Sequence, residues 1–108
     1  MIVSSILGAA ALMALSPDPT RAPRDAYTKC LRAFMEKSVK DKVTLEAFTA
    51  AFPQQCVEQE NAYRAAVRSF QAGLRVPAAE IDQIIKDEID TARDNTKQHF
   101  EMHQPQST

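Results

Sequence analysis

The chain has 108 residues, with 13 Lys plus Arg against 14 Asp plus Glu for a formal net charge of −1, and with five Phe, two Tyr, no Trp and two Gly. A chain of that length builds one core at most, and the near-neutral balance excludes both the basic footprint of a nucleic-acid binder and an acidic tail. Few aromatic residues among many Ala, Gln, Glu and Lys favour helices over sheets, so the expected fold class is all-α.

Residues 1–15 carry no charged side chain, and every Lys, Arg, Asp and Glu lies at or after Asp18. An apolar run this short does not cross a ~30 Å hydrocarbon core, which takes about 20 helical residues, but it fits the apolar region of a secretory signal peptide. Ala9-Ala10-Ala11 suits a signal peptidase, and Ala14-Leu15-Ser16 suits it more loosely. Lys and Arg are absent ahead of the run, so only the amino terminus supplies positive charge there. We read residues 1–16 as a removable leader, giving a periplasmic or extracellular destination and no stable membrane span once it is gone. The alternative is a retained leader that keeps the protein at a membrane. The run holds no cysteine and so offers no lipid attachment point of the bacterial lipoprotein type.

Pro17, Pro19 and Pro23 mark residues 17–23 as an extended linker, since each Pro fixes its own φ and biases its predecessor away from helix. A helical bundle domain is expected over 24–102, and residues 103–108 are expected to be a disordered tail. From Arg24 to Asp41, apolar residues recur at Tyr27, Cys30, Leu31, Phe34, Met35 and Val39, the spacing of one helical stripe. Thr44 is placed to cap a second helix, with Glu46 in its first turn and Val43 set to pack on Phe48. Phe52-Pro53 is expected to kink or break that helix, because Pro53 has no N–H to donate. A stripe of Cys56, Tyr63, Val67, Phe70 and Leu74 follows, and Gly73 is the expected left-handed cap. Pro77 then suits the start of a long last helix whose apolar face is Ile81, Ile84, Ile85, Ile89, Ala92 and Phe100.

Cys30 and Cys56 each stand thirteen residues from Val43, in the expected turn between the first two helices. In an antiparallel hairpin both arms rise about 1.5 Å per residue, so residues equidistant from the turn lie at one height. The two cysteines are therefore expected to form a disulfide. The expected architecture is a small up-down-up bundle with a disulfide-stapled, Pro-kinked α-hairpin. Seven basic and three acidic residues between Arg21 and Lys42 face three basic and seven acidic ones between Glu80 and Glu101. That complementarity favours first and last helices lying side by side.

Chemistry is sparse. The chain has no C-x-x-C, no G-x-S-x-G and no Gly-rich phosphate loop, and its cysteines lack the setting of a reactive thiol, so no enzyme is expected. His99 and His103 stand four apart with Glu101 between them, a spacing at which two imidazoles reach one metal. Two ligands are not a site, and an exposed pair that complements the helix dipole accounts for them, so no metal is assigned. Exported b-type cytochromes are helical bundles with a Met near one end of the chain and a His near the other. Met35 and His99 would be the corresponding pair, but a Met on a core stripe needs no cofactor, and none is assigned. By elimination, the expected role is an exported module that binds a macromolecule, a protein or envelope component. The rivals are a metal- or haem-binding bundle and a membrane-associated protein. The expected contact surface is whatever the last helix leaves open of Phe48, Phe52, Tyr63 and Phe70.

Overall fold

A computed structural model describes residues 18–104. The signal-peptide reading lies outside the described residues, as do residues 105–108 of the expected tail. Four helices follow in order: α1 (Arg21–Lys40), α2 (Leu45–Ala51), α3 (Val57–Gly73) and α4 (Ala78–Met102), with a 3-10 turn at Phe52–Gln54 between α2 and α3. Among the described residues there is no strand. The three long helices run up, down and up, each packed on the other two, while the short α2 lies against α4.

Helix α1 begins three residues earlier than the proline spacing predicts. Asp18 starts it: its carboxylate accepts from the Thr20 backbone N–H at 2.9 Å and from the Thr20 hydroxyl at 2.8 Å. That local turn supplies the bonds a helix start lacks. Pro23 then sits in the first turn, where its missing N–H would have had no helical partner. Thr44 caps α2 as expected, its hydroxyl accepting from Ala47 N–H at 3.1 Å.

Pro53 breaks the chain fully. After the 3-10 turn Gln55 is extended and Cys56 adopts a left-handed conformation (φ 62°) as the residue before α3. The second arm of the hairpin is thus two helices joined by an irregular corner. Even so the two cysteines meet, with Sγ atoms bonded at 2.03 Å and Cα atoms 5.9 Å apart.

Helices α1 and α3 end alike. Lys42 and Arg75 both take positive φ, at 58° and 63°. After α1, Lys42 N–H donates to Val39 O and Val43 N–H to Ser38 O; after α3, Arg75 N–H donates to Ala72 O and Val76 N–H to Gln71 O. These are paired Schellman bonds, with a basic residue at the position that glycine usually holds. Gly73, the expected cap, is instead the last helical residue of α3.

One core joins all the elements. Tyr27, Leu31 and Met35 come from α1, Phe48 from α2, Phe52 from the 3-10 turn, Tyr63 and Val67 from α3, and Ile81, Ile85, Ile89, Ala92 and Phe100 from α4. The spacings of three, four and eight on α4 are those of one helix face. Phe48 is sandwiched at the centre, its ring centroid 4.0 Å from Phe100, 4.9 Å from Phe52 and 5.5 Å from Phe34. Burying each large side chain contributes about 1.5 to 3 kcal/mol, so this stack is what fastens the short α2 to α4.

Candidate functional site

The parallel helices α1 and α4 leave a groove of about 590 Å³ between them. Met35, Val39 and Ala92 supply its apolar lining, and Arg32, Glu36, Asn95, Thr96, His99 and His103 supply its polar walls. A second hollow of about 430 Å³ shares Val39 and His103 with it and continues toward the α1–α2 turn. Polar residues thus outnumber apolar ones in the lining, giving a strip of apolar floor between walls that can orient an occupant.

Met35, His99 and His103, singled out in the sequence, all line this groove. Met35 is buried, while both histidines are exposed. His103 is the residue that caps α4, and its ring Nδ1 lies 2.8 Å from the His99 carbonyl oxygen. A carbonyl only accepts, so Nδ1 carries the proton, and one otherwise orphaned C-terminal carbonyl is satisfied. Gln104 is tied down too, its side-chain amide donating to Val43 O at 3.3 Å. The first two residues of the expected tail therefore belong to the bundle. Among the described residues, no three His, Cys, Asp or Glu side chains are grouped to hold a metal ion.

The expected aromatic contact surface does not form. Phe48, Phe52 and Tyr63 are core residues, and of the four only Phe70 is exposed, with the exposed Leu74 four residues later, just past the end of α3. Docking of α4 consumed the others. Nor does the charge complementarity of α1 and α4 produce contacts: the helices are neighbours, yet among the described residues no ion pair joins them.

A partly buried polar cluster holds the other side of the bundle. Glu60, in the first turn of α3, accepts from Arg64 Nε at 2.9 Å, from the Tyr27 hydroxyl at 3.3 Å and from Arg93 of α4. Arg93 also donates to the Pro53 carbonyl at 3.3 Å, fixing the corner next to the disulfide. The Tyr63 hydroxyl donates to Glu88 at 2.6 Å. Burial pushes the ionisation of both tyrosines above the usual phenol range, and for Tyr63 the Glu88 carboxylate adds to the effect. Both therefore stay neutral donors at ordinary pH. Its bonds tie α1, α3, α4 and the Pro53 corner together, with only the Arg93 Nε left buried and without a partner among the described residues, so the cluster reads as a structural clasp.

Arg32, Glu36, Asn95 and Thr96 are groove residues that sequence reasoning missed. The available signal was their position: each lies beside an apolar stripe on one of two helices whose parallel pairing the charge pattern favoured. A comparison with known protein families, curated proteins and solved structures finds no match to this chain.

Proposed function

We propose that this protein is an exported, disulfide-stapled helical module that works by binding a macromolecule in the α1–α4 groove. The groove carries the reading. It runs from Thr28 to Val39 along α1, a span of about 16 Å at the helical rise per residue, enough to seat about three turns of a partner helix. Its apolar lining would take the partner's apolar side chains, and Arg32, Glu36 and Asn95 stand beside it to fix orientation. Export is supported by the uncharged first fifteen residues and by a disulfide, which persists in oxidising compartments. No helix among the described residues is long and apolar enough to cross a membrane.

The test is site-specific photo-crosslinking in the native host. A photoreactive residue at Glu36 or Asn95 is expected to give one discrete adduct, and the same residue at Asp87, exposed and outside the groove lining, is expected to give none. Equal labelling at all three positions, or at none, would remove the groove as a docking surface.

A further inference from the structure

We propose that Met35, His99 and His103, three residues that line the α1–α4 groove, form a binding site for a soft monovalent metal ion, Cu(I). This goes beyond the docking role and does not depend on it. The sequence alone offers two histidines, which are too few ligands. The fold adds a third donor of a different kind, bringing the Met35 thioether from α1 to the groove that both imidazoles line from α4.

The geometry prepares the nitrogen ligands. Because the proton of His103 is held on Nδ1 by the His99 carbonyl, its Nε2 keeps the free lone pair. A backbone carbonyl that fixes the tautomer in this way is the common support of a metal-binding histidine. His99 lies one turn earlier on the same face, about 5 to 6 Å away between Cβ atoms. Among the described residues, no hydrogen bond or ion pair engages its ring.

Donor chemistry selects the ion. Calcium and magnesium need sets of oxygen ligands, and structural zinc takes thiolates and imidazoles in closed sets of four. Among the described residues, Glu36 is the one carboxylate lining the groove and is not grouped with the two histidines to hold a metal ion, and both cysteines are closed in the disulfide. Two imidazoles and a thioether make a nitrogen–sulfur set, whose soft sulfur favours Cu(I).

The test uses the full chain with its disulfide intact, titrated without oxygen against Cu(I) held by a chromophoric chelator, with X-ray absorption on the loaded protein. One Cu(I) per chain and a sulfur neighbour in the absorption spectrum are expected. His99→Ala and His103→Ala alter exposed residues and should keep the helical circular dichroism while each weakening Cu(I) by about tenfold or more, at least the effect of losing an outer-shell partner. Met35→Leu conserves volume and should remove the sulfur neighbour with the fold unchanged. No stoichiometric uptake, unchanged affinity in both histidine variants, or a sulfur signal that survives Met35→Leu would each overturn the proposal.

Discussion

Arg93 of α4 is paired with Glu60 of α3 at the point where the Pro53 corner meets the bundle, so one guanidinium ties two helices and an irregular turn together. The Glu60 side chain is 12% exposed and that of Arg93 25%, so removing either partner strands a largely buried charge. Glu60→Gln is expected to cost about 1 to 3 kcal/mol, reduced from the fully buried case by the residual solvent around Arg93. The double variant Glu60→Leu with Arg93→Met should recover only part of that loss, because it removes the stranded charge but leaves the Tyr27 hydroxyl and the Pro53 carbonyl without these partners. Urea unfolding of the three proteins checks both.

The staple closes a separation of 26 residues. Cross-linking over such a loop lowers the entropy of the unfolded chain by an amount worth about 3 to 4 kcal/mol, a large share of the stability of so small a domain. Cys30→Ser with Cys56→Ser is therefore expected to lower the unfolding free energy by about that amount, and adding reductant to the natural chain should do the same. Denaturation with and without reductant measures it.

Glycine is in the wrong place for a cap, and this gives a pair of opposed expectations. Gly73 is helical, and a Cβ added there meets nothing within 4 Å, so Gly73→Ala should stabilise by about 0.5 to 1 kcal/mol. Arg75, at φ 63°, carries a Cβ where glycine would carry none, so Arg75→Gly should also stabilise, by several tenths to about 1 kcal/mol. If Gly73 were the cap, Gly73→Ala would destabilise instead. Thermal melts of the two variants decide.

Tyr27 and Tyr63 set the alkaline limit. In the unfolded chain a tyrosine ionises near about pH 10. In the fold both ionise higher, so above that pH the unfolded chain releases protons that the native state keeps. Stability from these groups is thus complete below about pH 10 and falls as pH rises toward the folded values. Tyr63→Phe has no proton to lose and should flatten that fall. Unfolding midpoints followed from neutral to strongly alkaline pH test the slope.

Much of this was legible from residue spacing. The helical stripes of α1 and α4, the Thr44 cap and the cysteine pairing follow from periodicities of three and four and from equal distances to a turn. Where reading failed, either a second local signal had outweighed the first or packing between distant elements had decided the outcome. Proline reads as linker at Pro23, but the Asx turn of Asp18 upstream made a helix start in which Pro23 fits. Gly73 reads as a cap, but the corner fell two residues later, at Arg75. Phe48, Phe52 and Tyr63 read as a surplus aromatic face, whereas the stack on Phe100 depends on how α4 crosses α2, which no single-helix pattern contains. The groove was hidden for the same reason: Arg32 and Asn95 are ordinary off-stripe residues until two helices lie parallel.

Intact mass of the protein recovered from its native host, taken before and after reduction, tests the proposed export and the disulfide at once. The expected result is a chain shortened by cleavage after Ala11 or Ser16 that gains two hydrogens on reduction. A full-length chain, or a mass unchanged by reductant, would contradict it.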